Sequence, residues 1–302
     1  MFTVLLLKVM AVTFYYNTSS LSLKYLSNIR INKLNNINYK RKNKIPKKVN
    51  NAVMQNEPIV IAHRGANKFA PENSIPAIDI AGKMGYWGVE LDVCSSSDGV
   101  LYLLHDPTLN RTTNGRGPIT KKSSDEIDEL KIDKGANIAQ YPNLKVPRFE
   151  EALTECSKYN LVPIFEIKFL SRRNRDINTF LDIIHEYGYE KKVIVHSFNY
   201  QALEYLKSKD NEIRIMPIIN PNSRLHGYMY AKSIGAVALD SRYDFLNKKI
   251  VQLAHKDGLK VFCWTIDRRQ DFKRAAKMGV DYIYSDTIYP SKQEVKLRKN
   301  PV

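Results

Sequence analysis

Residues 59–93 of the chain read IVIAHRGANKFAPENSIPAIDIAGKMGYWGVELDV. The stretch opens with an apolar run at 59–62, continues with helical spacing of apolar residues over 73–84, and returns to an apolar run at 89–93. A strand, a helix and a second strand in this order are typical of a βαβ unit with parallel strands. This stretch decides the fold class, because the same alternation continues through the rest of the chain.

The alternation predicts a TIM (β/α)8-type barrel, since seven to nine strands spread over about 250 residues are typical of that fold. A doubly wound open sheet is the alternative, but no G-x-G-x-x-G follows the first strand. Further strands are predicted at 101–104, 162–167, 193–198, 213–219, 237–240, 260–266 and 282–285, and further helices at 149–159, 176–187, 200–207, 225–234, 248–255 and 271–277.

Two segments depart from the alternation. Asp98-Gly99 lies between apolar runs and predicts a hairpin with a two-residue turn, which would pair Asp92 with His105. The polar segment at about 106–148 contains little periodicity beyond a short helical pattern from Ser124. We expect it to form a small insertion after the third strand, beside the active face of the barrel.

The excess positive charge is concentrated at the N-terminus. The chain has 302 residues and a net charge of +16, yet residues 1–56 contain ten Lys/Arg and no Asp or Glu. This composition predicts a poorly ordered basic arm at 1–56, followed by one barrel domain at 57–302. A membrane-proximal arm with a weak membrane anchor and a true start at Met54 are the alternatives. The apolar run at 1–16 is short for a membrane span, and it lacks the features of a signal peptide.

Composition also excludes several classes of protein. The cysteines at 94, 156 and 263 form no C-x-x-C, which excludes a small secreted fold held by disulfides. No recognised motif supports nucleic-acid binding once the charge is assigned to the arm, so no nucleic-acid partner is expected.

We expect a cytoplasmic protein, with membrane association through residues 1–56 as the alternative. The oligomeric state is left open.

The ends of the predicted strands carry the reactive side chains. Glu90 and Asp92 lie two positions apart in an apolar run, so both point to one face and would repel each other unless a cation lies between them. Glu166 occupies a similar place in a later strand. Three carboxylates form an all-oxygen ligand set, which favours a hard cation such as Mg²⁺ or Ca²⁺ over zinc.

The same strand ends supply two imidazoles and two further cations. His63 and Arg64 terminate the first apolar run, His105 follows the third, and Lys168 follows Glu166. This set is suited to metal-assisted phosphoryl chemistry, in which the cations neutralise phosphate and the imidazoles act as general base and general acid. Trp264 ends a late strand, and we predict that it forms a wall for the substrate.

The order and spacing of the motifs resemble the glycerophosphodiester phosphodiesterase family, within the phosphoinositide phospholipase C-like superfamily. The resemblance covers residues 58–290. It is carried by H-R-G at 63–65, P-E-N-S at 71–74, E-L-D at 90–92, H-D at 105–106, E-I-K at 166–168, S-F at 197–198, W-T at 264–265 and S-D at 285–286. It implies a TIM barrel that hydrolyses glycerophosphodiesters to glycerol 3-phosphate and an alcohol with one divalent cation, Mg²⁺ or Ca²⁺, with Mn²⁺ as a further candidate. Such an activity belongs to glycerol and lipid metabolism.

The resemblance also implies roles for individual positions, which agree with those inferred from the residues. The metal carboxylates are Glu90, Asp92 and Glu166; the acid/base pair is His63 and His105; the phosphate-binding groups are Arg64 and Lys168. In related phosphoinositide-cleaving enzymes a neighbouring hydroxyl attacks phosphorus and water then opens a cyclic phosphate, and the glycerol 2-hydroxyl is the equivalent group here.

Several alternatives stay open at this point. A membrane-docked enzyme acting on lysophospholipid or teichoic-type polyglycerophosphate is the alternative function, and the head group is not determined. The order in which the two histidines act is also open. Asn73 either caps the first helix or braces the metal site, and His196 is either structural or placed behind the ligands.

Overall fold

The computed structural model describes residues 57–219 and 224–291. The predictions made for residues 1–56, namely a disordered arm, a membrane anchor or a start at Met54, lie outside the described residues. Within the described ranges, no helix combines the length and the apolarity needed to cross a bilayer.

Strands and helices alternate along the described parts of the chain. Most observed elements lie within a few residues of the bounds predicted from the sequence. The strands are β1 Ile59–His63, β2 Gly88–Ser95, β3 Leu101–Leu103, β4 Val162–Ile167, β5 Ile194–Ser197, β6 Arg214–Pro217, β7 Ala238–Arg242, β8 Lys260–Trp264 and β9 Tyr282–Ser285. The helices are α1 Ile75–Lys83, α2 Ser124–Asp128, α3 Phe149–Lys158, α4 Arg173–Glu186, α5 Tyr200–Lys209, α6 Arg224–Ser233, α7 Lys248–Lys256 and α8 Arg269–Met278.

Eight of these strands are parallel and form a barrel. Their order is β6-β5-β4-β2-β1-β9-β8-β7, and β3 pairs antiparallel with β2 outside this path. The two ends of the path meet, because Ile218 forms a parallel bridge with Asp240 and the Val237 N–H donates to the Ile215 carbonyl at 3.0 Å. The predicted TIM-type barrel is therefore confirmed, and the open-sheet alternative is wrong.

The barrel interior explains where the polar side chains lie. Alternate residues of a strand point to the same face, so the residue two positions beyond a lumen residue also points inward. Apolar side chains fill the lower lumen, and all but Met216, which is followed by Ile218, precede by two positions a polar or aromatic residue at the carboxyl end of the strand. These pairs are Ile61 and His63, Ile164 and Glu166, Ile194 and His196, Ala238 and Asp240, Phe262 and Trp264, and Tyr284 and Asp286.

The β2–β3 hairpin differs by one residue from its predicted register. Val93 pairs with Leu103, and the Leu104 N–H donates to the Asp92 carbonyl at 3.0 Å. The predicted pairing of Asp92 with His105 is wrong because the turn has three residues, not two. The Ser96 side chain stabilises this longer turn by accepting hydrogen bonds from the N–H groups of Gly99 and Val100 at 3.2 and 2.9 Å.

The segment after β3 packs on this hairpin around its own small apolar cluster. The cluster combines hairpin residues with residues of the polar segment: Cys94, Tyr102, Leu104, Leu109, Ile119, Ile127, Ile132 and Val146. Helix α2 is shorter than the helical pattern in the sequence and begins with a capping box between Ser123 and Glu126. This packing fixes the position of the residues that follow His105.

Candidate active site

The carboxyl ends of the strands surround a cavity of about 150 Å³. The eight residues that the sequence predicts for the site all line it: His63, Arg64, Glu90, Asp92, His105, Glu166, Lys168 and Trp264. The cavity also has walls formed by residues to which the sequence assigned no definite role, namely His196, Phe198, Ile218, Asp240 and Tyr284. The site therefore lies on the face that TIM barrels use for chemistry.

The turn after β1 places the backbone N–H of Arg64 within hydrogen-bond distance of the Glu90 carboxylate. Arg64 has a φ of +55°, and its N–H donates to Glu90 Oε2 at 3.0 Å. A left-handed conformation costs a non-glycine residue about 1–2 kcal/mol, which this hydrogen bond to a charged group offsets. Gly65 follows at φ +82°, where a Cβ atom would lie only 2.6 Å from the Cβ of Ala77. The H-R-G sequence is thus needed for the turn as well as for its side chains.

Asp92 is held in one orientation by Asn73. The Asn73 amide donates to Asp92 Oδ2 at 2.8 Å, and the Asp92 N–H donates to Asn73 Oδ1 at 3.0 Å. Ser74, not Asn73, caps α1, because its hydroxyl accepts from the Ala77 N–H at 3.3 Å. Of the two alternatives for Asn73, the structure therefore supports the brace on the carboxylate.

The cationic side chains lie close to the carboxylates. Lys168 Nζ is 2.9 Å from Glu166 Oε2 and 3.4 Å from Asp92 Oδ1, and Arg64 Nε is 3.4 Å from Asp92 Oδ2. Burial raises the pKa of Glu166 to about 7 in spite of these neighbours. Burial acts in the same direction on Glu90, but His196, His63 and Arg64 outweigh it and lower the pKa of Glu90 to about 2. Of these two carboxylates, Glu166 is therefore the one whose charge the neighbouring cationic side chains compensate less.

Three donor groups of the cavity lie close enough together to share a metal ion. Single ligand atoms of Glu90, Glu166 and His196 lie within 4.8 Å of one another, and all three residues are buried. This group shares Glu90 and Glu166 with the ligand set predicted from the sequence, whereas the oxygens of Asp92 contact Arg64, Asn73 and Lys168. A buried carboxylate cluster of this kind fits a divalent cation.

His63 is oriented by a carboxylate that directly follows the last strand. Its Nδ1 lies 2.7 Å from Asp286 Oδ1, and the Asn67 amide donates to the same oxygen at 2.6 Å. Burial alone would lower the pKa of His63, but the hydrogen bond to Asp286 and the charges of Glu90 and Asp286 raise it above its ordinary value. The ring is therefore fixed through Nδ1, which leaves Nε2 for chemistry.

His105 is oriented through a separate network. Its Nδ1 lies 2.7 Å from Asp106 Oδ1, and Arg111 Nε donates to Asp106 Oδ2 at 2.7 Å. Arg111 also donates to both carboxylate oxygens of Glu72, which in turn accepts from Arg64 at 3.0 Å. This chain of ion pairs joins the two sides of the cavity. The hydrogen bond from Arg111 lowers the pKa of Asp106 to about 2.

Two aromatic side chains form the rim of the cavity. The rings of Phe198 and Trp264 meet edge to face, with centroids 6.1 Å apart, and Phe198 is 53% exposed. A larger cavity of about 310 Å³ adjoins the site where Lys168 lines both cavities. Its other walls come from the insertion, including Pro107 and Pro118, from the end of β4 and the loop after it, and from the first residues of α4 and α5.

Sequence reasoning assigned no role to Glu72, Asp106, Arg111, Asp240 or Asp286. Three of them stand inside motifs that were noted, in P-E-N-S, H-D and S-D. Their partners come from other strands or from the insertion, so the motif strings alone could not identify the contacts.

Comparisons with known proteins agree with this geometry. The model of the glycerophosphoryl diester phosphodiesterase family matches residues 63–289. A glycerophosphodiester phosphodiesterase of Caldanaerobacter subterraneus is 33% identical over 230 residues, which cover 76% of this chain and 93% of the relative. A bovine glycerophosphodiester phosphodiesterase 1 is 28% identical and is matched over 71% of its length, covering 68% of this chain.

Solved structures show the same likeness. A phosphodiesterase of Oleispira antarctica, in complex with its product sn-glycerol-3-phosphate, superposes with a TM-score of 0.71 at 28% identity, covering 81% of this chain and 97% of that one. A glycerophosphodiester phosphodiesterase of Agrobacterium tumefaciens superposes with a TM-score of 0.65 at 29% identity, covering 76% of this chain and 96% of that one. The chain therefore belongs to the glycerophosphoryl diester phosphodiesterase family and is a phosphoric diester hydrolase.

Proposed function

We propose that this protein hydrolyses glycerophosphodiesters to sn-glycerol 3-phosphate and an alcohol, and that it uses a divalent cation with His63 and His105 as the acid/base pair. One observation carries the proposal. The imidazoles of His63 and His105, each bound through Nδ1 to a carboxylate, line the same cavity as the metal-binding carboxylates predicted from the sequence and the cationic groups of Arg64 and Lys168. The product bound to the Oleispira antarctica relative is the product expected here.

The carboxylates Glu90, Asp92 and Glu166 would hold the cation. Burial raises the pKa of Glu166, and a bound cation would supply the positive charge that keeps this carboxylate ionised. When bound, a divalent cation polarises the phosphoryl group and stabilises the charge that develops on its oxygens. The oxygen donors favour Mg²⁺, Ca²⁺ or Mn²⁺.

The remaining side chains bind the phosphate and move protons. Arg64 and Lys168 neutralise the diester, because each has a charged nitrogen beside the carboxylate cluster. The raised pKa of His63 favours its protonated form near neutral pH, so we assign it as the acid that donates a proton from Nε2 to the departing alcohol oxygen. His105 is then the base that takes the proton from the attacking hydroxyl or water.

The adjoining cavity is the proposed place for the alcohol. Lys168 lines both cavities, so a phosphate bound at Lys168 would direct one ester arm toward the insertion. The aromatic rim of Phe198 and Trp264 would then contact the glycerol arm. In this proposal residues 57–302 form one catalytic domain, and the insertion at about 106–148 selects the alcohol.

The test is an activity assay on the full chain after removal of metal with EDTA. Glycerophosphocholine is incubated with the stripped protein and with Mg²⁺, Ca²⁺ or Mn²⁺, and glycerol 3-phosphate is measured by a coupled dehydrogenase. We expect product only after a cation is restored. His63→Gln and His105→Gln should each lower kcat by about 10²–10⁴, the usual contribution of general acid–base catalysis.

A matched control separates these losses from general damage. His185 also pairs with an aspartate, Asp210, at 2.9 Å, but on exposed helix surface away from the cavity. His185→Gln should keep wild-type turnover. Wild-type turnover in His63→Gln, or full activity in EDTA, would contradict the proposal.

A further inference from the structure

His196 occupies a position in the cavity that the proposed chemistry does not use. It lies on β5 beside Glu166 of β4 in the sheet register, and its side chain is about 3% exposed. Its neighbours in the barrel are Glu90 on one side and Asp240 on the other. Each ring nitrogen of a histidine is a hydrogen-bond donor, an acceptor or a metal ligand, so both nitrogens of this buried ring should have a partner.

The two nitrogens of His196 differ in their partners. Nδ1 lies 3.1 Å from Asp240 Oδ2, which is a hydrogen bond. Nε2 is buried and has no hydrogen-bond partner among the described residues, since its nearest carboxylate oxygen, Glu90 Oε1, is 3.8 Å away. A separation of 3.8 Å is too long for a hydrogen bond, and buried polar atoms are rarely left without a partner.

The same separation is suited to two ligands of one metal ion. Ligand atoms lie about 2.0–2.6 Å from zinc or calcium, so two ligands of one ion are separated by at most about 4–5 Å. His196 Nε2 and one oxygen each of Glu90 and Glu166 lie within 4.8 Å of one another. The pairing of Nδ1 with Asp240 completes a pattern in which a carboxylate orients a metal-bound histidine.

We propose that His196 Nε2 is a ligand of the divalent cation, oriented by Asp240, and that the site is a mixed nitrogen–oxygen site. This inference rests on the proposed metal dependence and corrects the all-oxygen ligand set expected from the sequence. An imidazole ligand favours borderline ions such as Mn²⁺, Co²⁺ and Zn²⁺ relative to Ca²⁺. A cation on Nε2 replaces a proton there, because both use the same lone pair.

The decisive experiment detects the nitrogen directly. The full chain is loaded with Mn²⁺, and electron spin-echo modulation from a coupled ¹⁴N nucleus is recorded. We expect a directly coordinated ¹⁴N signal in the wild-type protein and in His105→Gln, and its loss in His196→Gln. Signal loss in His105→Gln with retention in His196→Gln would overturn the assignment.

Metal affinity provides a second readout that does not depend on turnover. By titration calorimetry, His196→Gln should weaken Mn²⁺ binding at least tenfold and Ca²⁺ binding by a smaller factor. Asp240→Asn should weaken Mn²⁺ binding about tenfold or more, as expected for a group that orients a ligand. Equal losses for Mn²⁺ and Ca²⁺ in His196→Gln would contradict a nitrogen ligand.

The outcomes separate this inference from the proposed function. If wild-type protein binds Mn²⁺, requires it for activity and shows no ¹⁴N coupling, His196 is not a ligand and the proposed function stands. If the protein binds no metal and is active in EDTA, both are wrong. His196→Gln could fail to fold, which circular dichroism would reveal. In that case the wild-type and His105→Gln spectra still decide whether a histidine other than His105 is coordinated. The spectrum of His63→Gln then decides between the other two histidines of the cavity, His63 and His196.

Discussion

Replacing Asp286 with Asn should remove a charge from the site while leaving its hydrogen bonds in place. Asp286 Oδ1 accepts from His63 Nδ1 at 2.7 Å and from the Asn67 amide at 2.6 Å. Because both neighbours donate to this one atom, the new amide must place its oxygen there. The His63 ring then keeps its orientation and its proton on Nδ1.

The expected loss follows from the change of a charged acceptor to a neutral one. Hydrogen bonds to charged groups contribute about 1.5–3 kcal/mol and neutral ones about 0.5–1.5 kcal/mol, so Asp286→Asn should cost about 1–1.5 kcal/mol. This corresponds to a kcat about tenfold lower, whereas Asp286→Ala, which removes the whole interaction, should lower it about a hundredfold. Burial lowers the pKa of His63 and Asp286 raises it, so the variant also lowers this pKa.

The assay is kcat as a function of pH for glycerophosphocholine hydrolysis. If protonated His63 is the acid, activity falls as pH rises through its pKa, so the alkaline limb should move to lower pH in Asp286→Asn. Adding Asn67→Ala frees the new amide to turn its nitrogen toward His63, and should lower kcat further. Wild-type kcat with an unchanged alkaline limb in Asp286→Asn would refute this role for the pair.

Three further variants or conditions test other parts of the site. Gly65→Ala should destabilise the fold by about 2–4 kcal/mol in urea unfolding, because its Cβ would meet Ala77 and its φ is +82°; a loss below about 0.5 kcal/mol contradicts the close approach. Arg111→Ala should raise the pKa of Asp106 from about 2 toward its ordinary value, so the acid limb of kcat moves to higher pH; an unchanged limb contradicts the network. A cation at 100 times its Kd should stabilise the wild-type protein by about 2.7 kcal/mol in thermal unfolding but not Glu90→Gln; an equal Tm shift in both excludes Glu90 as a ligand.

The barrel could be predicted from the sequence because its strands are buried on both faces. A run such as Val162–Ile167, which is apolar except at Glu166, is a strong signal for a parallel strand. Lumen side chains repeat every second residue, so Glu166 stands out as a polar residue that must point inward after Ile164. This periodicity, together with the turns that follow the strands, places the eight predicted site residues in one cavity.

The hairpin register could not be fixed in this way. Asp98-Gly99 is compatible with turns of two or three residues, and the choice depends on the side chain of Ser96. A shift of one residue leaves the amino-acid composition of the hairpin unchanged, but it changes which residue lies opposite Asp92.

The partners that orient the reactive groups were also hidden from sequence reasoning. His63 and Asp286 are 223 positions apart, and His196 and Asp240 are 44 positions apart. Only barrel closure and strand register bring such pairs together. A sequence motif can therefore identify each residue, but it does not show which residue that side chain contacts. The proposed role of His196 rests on its Nε2, which has no hydrogen-bond partner among the described residues, and this is a property of the folded site.

The most direct measurement of the central claim follows the phosphorus during turnover in water labelled with ¹⁸O. Full-length protein reconstituted with Mg²⁺ or Mn²⁺ is incubated with glycerophosphocholine, and the products are observed by ³¹P NMR. We predict sn-glycerol 3-phosphate carrying ¹⁸O on phosphorus and unlabelled choline, with no reaction in EDTA. Phosphocholine as the phosphorus product, or the same rate without a metal ion, would contradict metal-dependent hydrolysis of glycerophosphodiesters at this site.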